Sequence, residues 1–214
     1  MHHKNKDYLN QKIRNFVPNS NEEVVDKLNN LILLLQSWNK KLNLTSISEY
    51  KEVCDLHVID SALCSPYIKG KNIIDIGSGA GFPGFVLAII NPDKEFSLID
   101  SVRKKTIFQQ HVISELDLKN VTSINSRVEK FDPVDKFDSV ISRAFSSFED
   151  MIKLTRHLCK PEGCFLTLKS KNYTKEISKN KFFEIKDCII YKINTGDIDI
   201  ERYLLEVENN NIKI

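Results

Sequence analysis

Apolar residues recur through the first third of the chain at steps of three and four. Val24, Leu28, Leu31, Leu35, Trp38 and Leu42 form one series, the face of a helix of about 20 residues. Ser20 and Glu23 make a capping-box pattern at its start. The neighbouring Ile32, Leu33 and Leu34 widen the face beyond a coiled-coil seam, which favours packing against the same chain. Leu9, Ile13 and Phe16 predict a shorter docking helix within a polar, Lys- and Asn-rich opening stretch. A further helix is expected over residues 49–64, with Val53, Leu56, Ile59 and Leu63 turned inward. Pro66 and Gly70 close this helical portion.

From residue 71 the period changes. β-rich runs at 72–76, 95–100, 121–125, 138–142 and 164–169 alternate with helical patterns near 83–90, 103–116 and 147–158. Strands separated by helices imply a parallel sheet with right-handed crossovers covering both faces. The tail breaks the rhythm. Two β-rich runs, 183–193 and 201–208, flank Thr195-Gly196-Asp197 and read as an antiparallel hairpin. A parallel core finished by such a hairpin is the outline of the α/β, Rossmann-like class I methyltransferase sheet. The expected organisation is therefore a helical segment, 1–70, packed on a core of residues 71–214.

Four of the seven glycines fall within Gly77-Ser78-Gly79-Ala80-Gly81-Phe82-Pro83-Gly84, directly after the run Asn72-Ile73-Ile74-Asp75-Ile76. A strand that ends in a glycine loop and opens a helix is where an α/β protein holds a nucleotide-like cofactor. Two registers compete. Gly79-x-Gly81-x-x-Gly84 satisfies the dinucleotide fingerprint, but Pro83 removes a backbone donor where a pyrophosphate needs one. Asp75-x-Gly77-x-Gly79-x-Gly81 is the class I methyltransferase register, and it includes a carboxylate. Asp75 repels a pyrophosphate and suits the ammonium and sulfonium of S-adenosylmethionine. Asp100, closing the next strand, suits ribose hydroxyls in either cofactor.

Composition narrows the picture further. The chain of 214 residues is 41% apolar, enough for a core, and its net charge of +2 neither demands nor opposes a nucleic-acid partner. No apolar run approaches the ~20 residues of a membrane span, and the opening residues lack a signal-peptide core, so a cytoplasmic location is expected. The five cysteines lack Cys-x-x-Cys spacing and the five histidines are scattered, so the expectation is buried thiols and no metal.

Seven segments carry a more specific match. They are Trp38-Asn39-Lys40-Lys41-Leu42-Asn43-Leu44-Thr45, His57-Val58-Ile59-Asp60-Ser61, the loop from Asp75 to Gly84, Leu98-Ile99-Asp100-Ser101, Ser126-Arg127-Val128-Glu129, Ile141-Ser142-Arg143-Ala144 and Leu166-Thr167-Leu168-Lys169. In this order they resemble the bacterial 16S ribosomal RNA guanine-N7 methyltransferase G family, once called glucose-inhibited division protein B. Two positions differ from that pattern: Leu56 stands where a basic residue is expected, and Pro161-Glu162-Gly163-Cys164 replaces a double-glycine turn.

The resemblance implies S-adenosylmethionine as cofactor, with 16S rRNA or a small-subunit assembly intermediate as substrate and a monomeric enzyme. It implies that Gly77 and Phe82 line the cofactor, that Val128 and Glu129 sit beside the adenine, and that Arg143 reaches the bound cofactor. Asp75, Gly79 and Asp100 complete the expected cofactor set. Arg127, Lys169 and His57 are the candidate substrate positioners; His57 and Asp60, three apart, share a helix face. Trp38 lies on the apolar face and is expected in the core. Guanine N7 carries a lone pair and no proton, so no general base is expected. A small-molecule methyltransferase is disfavoured by the flanking motifs. An oxidoreductase is disfavoured by Asp75, Pro83 and the tail. A non-enzymatic RNA-binding module would need a dense basic stripe or stacking platforms, and neither is present.

Overall fold

The computed structural model describes residues 2–143, 145, 147–178, 180–196 and 201–213. Ala144 of the fourth-strand motif and Asp197 of the tail turn lie outside them.

Helices α1 (His2–Phe16) and α2 (Glu22–Leu42) open the chain, as the three-and-four spacing predicts. The cap differs from expectation. Asn21, not Ser20, caps α2: its side-chain oxygen accepts from the Val24 N–H at 3.0 Å. The Ser20 N–H instead closes a turn on Val17 O, which sets the cap one residue later. At its other end Asn43 adopts φ 48°, a left-handed conformation that asparagine tolerates, and its N–H returns to Asn39 O.

The helix expected over 49–64 is not continuous. It is α3 (Tyr50–Val53), a π-helical segment (Cys54–Ile59) and α4 (Asp60–Ala62). The wider turn sends the Asp60 N–H back to Asp55 O, five residues earlier. Tyr8 of α1 donates to the Asp55 carboxylate at 2.8 Å, tying the first helix to the wide turn.

The remaining elements are β1 (Asn72–Ile76), α5 (Gly84–Ile90), β2 (Glu95–Asp100), α6 (Arg103–Glu115), β3 (Val121–Asn125), β4 (Phe137–Ser142), α7 (Phe148–Thr155), β5 (Cys159–Lys169), α8 (Tyr173–Ile177), β6 (Cys188–Ile193) and β7 (Arg202–Glu208). They build a sheet of order β3-β2-β1-β4-β5-β7-β6, in which β7 runs antiparallel to both β5 and β6. β5 starts earlier than the predicted 164, with an irregular register against β4 between Phe137 and Ser139. The first tail strand is shorter than predicted, since residues 185–187 form a 3-10 turn. α8 had no counterpart in the sequence pattern.

Alternation along each strand divides the core into two layers. Ile73, Leu98, Ile141 and Leu166 join the helices before residue 70, α5 and α6 in one cluster. Ile74, Ile99, Val140 and Phe165 join α7 in the other. Trp38 packs on that first side, its ring 5.6 Å from Phe108 and 4.8 Å from His111, in the core role expected of it. All five cysteines are buried and free. The strand order reverses between β1 and β4, and the crevice outside their carboxyl ends is where such sheets bind ligands.

Candidate active site

The loop leaving β1 is held by the protein itself. The Ser78 N–H donates to Ile99 O of β2 at 3.1 Å, and the Gly81 and Phe82 N–H groups donate to Ser78 O. Gln109, fully buried on α6, donates to Ser78 Oγ at 2.9 Å and to Gly79 O at 2.8 Å, while its own oxygen accepts from Ser123. Two carboxylates take loop donors. Asp100 Oδ2 accepts from the Gly79 N–H at 2.9 Å, and Asp75 Oδ2 accepts from the Gly84 N–H at 2.8 Å. A pyrophosphate would need those same N–H groups, which the two carboxyl groups already take, and would meet acceptor oxygens beside them. The geometry rejects the dinucleotide register.

Beside the loop lies a cavity of about 380 Å³. Ile76, Ile99, Val128 and Phe145 give it apolar walls, and Gly77, Asp100, Arg127 and Glu129 open onto it. Gly77 has φ 63°, and a Cβ there would meet nothing within 4 Å, so its backbone lies open to a ligand. Asp100 Oδ1 also accepts from the Val102 N–H, which aims the carboxylate along the cavity floor. Arg127 stands exposed on this first cavity, apart from His57 and Lys169, because the turn after β3 carries it there with Val128 and Glu129.

A second cavity, of about 350 Å³, is lined by Leu56, His57, Asp60, Arg143, Lys169 and Arg202, among others. The segment leaving β4 links the two cavities, giving Arg143 to one and Phe145 to the other. Arg143 is gripped by the π-helical segment. Its Nη1 donates to Leu56 O at 2.8 Å and its Nη2 lies 2.9 Å from His57 Nδ1. Phe82, buried rather than lining the first cavity, packs beneath both groups: its ring is 5.0 Å from the His57 ring and 5.7 Å from the Arg143 guanidinium carbon. Asp60 accepts from Arg202 Nε at 2.5 Å and lies 3.8 Å from Arg143. His57 and Asp60 thus share a face, joined through arginine rather than to each other. Lys169 is paired with Glu176 of α8 at 2.9 Å.

Burial controls the ionisation here. It holds the His57 imidazole down to about 4, aided by the positive charge of Arg143 and opposed by the Leu56 carbonyl. His57 is neutral at physiological pH. Burial also pushes the Asp75 carboxyl up to about 7, against the Gly84 N–H and the charge of Arg143. Asp75 Oδ1 is buried with no hydrogen-bond partner. A buried carboxylate with one orphaned oxygen, next to an open glycine and an apolar cavity floored by Asp100, fits a cationic nucleoside.

Sequence reasoning missed Gln109 and Arg202. Gln109 has a signal, since a glutamine stands among the inward positions Phe108 and Val112 of α6. Arg202 has none in its neighbourhood, because its partner Asp60 is 142 positions away. Among the described residues no cluster of His, Cys, Asp or Glu could hold a metal, and no helix is long and apolar enough to cross a membrane.

Strand order, a carboxylate-guarded glycine loop and an acidic residue closing β2 together define a class I methyltransferase. Solved structures agree on that fold: a predicted O-methyltransferase from Agrobacterium tumefaciens, 18% identical, superimposes with a TM-score of 0.56 over 70% of this chain and 79% of that one. A tRNA methyltransferase from Aquifex aeolicus, 15% identical, gives 0.50 over 69% and 67%. Residues 24–196 match the model of the family described as rRNA small subunit methyltransferase G, and the chain belongs to that family. Relatives bearing that description include one from Shewanella pealeana, 43% identical over 87% of this chain and 89% of its own length. Another, from Psychromonas ingrahamii, is 40% identical over 94% and 98%. The methyl donor of this enzyme is S-adenosylmethionine.

Proposed function

We propose that the chain transfers the methyl group of S-adenosylmethionine to N7 of a guanine in 16S ribosomal RNA. One observation carries the choice of N7: each titratable group at the second cavity is already engaged. His57 is neutral with both ring nitrogens contacted, Asp60 is held by Arg202, and Lys169 is paired with Glu176. A site without an available base suits an acceptor that has no proton to lose.

When bound, the cofactor supplies an electrophilic methyl carbon on a sulfonium. The chain's residues position and screen. Asp100 accepts from ribose hydroxyls, while the Val128 backbone and the Glu129 carboxylate read the adenine edge. Gly77 lets the backbone approach the nucleoside, with Gly79 bonded to Asp100 behind it. Asp75, buried behind the loop and lining neither cavity, places a carboxyl with one unpartnered oxygen behind the ammonium end. Arg143, braced by Leu56 and His57 over Phe82, sits at the junction of donor and acceptor and meets the cofactor carboxylate. Lys169 and Arg127, on the two cavity rims, meet RNA phosphates. Holding N7 in line with the methyl carbon is the remaining task.

The guanine must be unpaired to enter, so free 16S rRNA or an open assembly intermediate in the cytoplasm is the substrate. Helices before residue 70 supply Leu56, His57 and Asp60, which supports reading 1–70 as a substrate-side cap on 71–214.

The test is to methylate 16S rRNA with labelled cofactor and then treat it with borohydride and aniline, which cleave at N7-methylguanine. Strand scission at the labelled position is expected. Incorporated label without scission overturns the assignment.

A further inference from the structure

His57 raises a question of tautomer that the surrounding distances answer. Its Nδ1 lies 2.9 Å from Arg143 Nη2 and 3.1 Å from Leu56 O, so it faces a donor and an acceptor at once. Guanidinium nitrogens only donate. With Arg143 in place, Nδ1 must therefore carry the lone pair, and the ring proton must sit on Nε2. There the partner is Thr45 Oγ1, at 3.0 Å.

Thr45 is not a chance neighbour. The Asn39 amide clamps its backbone from both sides, Nδ2 donating to Thr45 O at 2.9 Å and Oδ1 accepting from Thr45 N–H at 2.9 Å. This two-bond clamp crosses the left-handed turn at Asn43 and seats the hydroxyl against the imidazole. The Ile47 N–H donates to the same hydroxyl at 3.2 Å, orienting its lone pairs. The Trp38–Thr45 segment singled out in the sequence thus ends on the histidine.

We infer that Thr45, held by Asn39, is a positioning residue: it accepts from the Nε2–H that Arg143 imposes on His57 and so keeps the ring, and Arg143 with it, in the working orientation. The alternative tautomer is close at hand. A proton on Nδ1 would be donated to Leu56 O, which is the carbonyl Arg143 Nη1 uses, and Nη2 would face an N–H. Loss of the Thr45 acceptor leaves a buried Nε2–H unpaired and the ring less firmly seated against Arg143. The activity part of this inference rests on the role given above to Arg143; the tautomer part does not.

The experiment is two-bond ¹H–¹⁵N correlation on protein labelled with ¹⁵N-histidine at neutral pH, His57 being assigned with a His57→Gln variant. The wild-type chain is expected to show a neutral ring protonated on Nε2. Thr45→Ser, which keeps the acceptor, is expected to retain that pattern and the wild-type kcat/KM. Thr45→Val is expected to keep the proton on Nε2, where Arg143 holds it, to shift the Nε2 resonance as its hydrogen bond is lost, and to lower kcat/KM about tenfold, chiefly through a raised cofactor KM. Arg143→Met, read by spectrum alone, is expected to populate the Nδ1–H form. A wild-type ring protonated on Nδ1 overturns the inference, whether or not Thr45→Val folds. Thr45→Val with an unchanged cofactor KM overturns the positioning role. Absence of N7 methylation with the expected spectra leaves the relay intact and points instead to an error in the reaction assigned.

Discussion

The guanidinium of Arg143 donates to the main-chain oxygen of Leu56, 87 positions away in sequence, at 2.8 Å. The contact uses the backbone, so it does not depend on which side chain stands at 56. Leucine there, in place of the basic residue expected from the family pattern, changes the wall of the second cavity and leaves the grip on Arg143 unaltered.

Arg143→Lys keeps the charge and loses the fork. A lysine cannot reach Leu56 O and His57 Nδ1 together. A fall in kcat/KM of roughly 10- to 100-fold is expected, the usual worth of charge-assisted hydrogen bonds. Steady-state kinetics with cofactor varied checks it, and an unchanged cofactor KM counts against the placement.

Asp75 should make stability and binding depend on pH. Its carboxyl is raised by burial from 3.8 in the unfolded chain to about 7 in the folded one. The cofactor-free folded state therefore holds the proton more tightly. Its contribution to stability is full below the unfolded value and is lost as pH rises through the folded one. Asp75→Asn should flatten thermal melts across that window. Binding of a cation favours the ionised carboxylate, so calorimetric affinity for S-adenosylmethionine should rise with pH through about 7 in the wild type only.

Two loop glycines should fail in different ways. A Cβ at Gly77 meets no protein atom within 4 Å, so Gly77→Ala carries only the backbone strain of φ 63°, about 1–2 kcal/mol, and obstructs the ligand. A Cβ at Gly81 would lie 2.1 Å from the Phe85 ring in the core. Gly77→Ala is expected to fold and bind cofactor weakly; Gly81→Ala is expected to lose stability first. Melting and calorimetry on the pair separate the two, and equal melting losses would refute the distinction.

The chemical step should be insensitive to pH. His57 is held down to about 4, below the working range, so single-turnover rates at saturating cofactor should be nearly flat from about pH 6 to 9. His57→Gln should leave the shape of that profile unchanged. A rising limb with one titrating group would mean that the acceptor loses a proton.

Acid stability gives His57 a separate signature. Its folded pKa is depressed from 6.5, so the unfolded chain takes up the proton first and stability falls as pH drops from 6.5 towards 4. His57→Gln should lose less stability over that interval than the wild type, as measured by denaturant midpoints at each pH.

The sheet was legible because strands buried on both faces read as short runs rich in apolar residues, Asn72–Ile76 and Glu95–Asp100 among them. The glycine loop was legible because its chemistry is local. The π-helical turn at Cys54–Ile59 was not: it is braced by Tyr8 on one side and Arg143 on the other, and neither contact leaves a local pattern. The cap of α2 was off by one because Ser20 and Asn21 are both capping residues and only the preceding turn decides between them. The second cavity gathers residues from positions 47 to 202, so its make-up emerged only with the fold.

That division of labour has a consequence for how such an enzyme diversifies. The first cavity draws on residues 76–129 and 145, whereas the second draws on the helices before residue 70 together with 143, 168–170 and 202. On the function proposed above, donor and acceptor are met in nearly separate stretches of the chain that join at the exit of β4. Changes in the helical segment that spare Thr45, Leu56 and His57, which brace Arg143, then alter the acceptor side while the hold on the donor stays as it is.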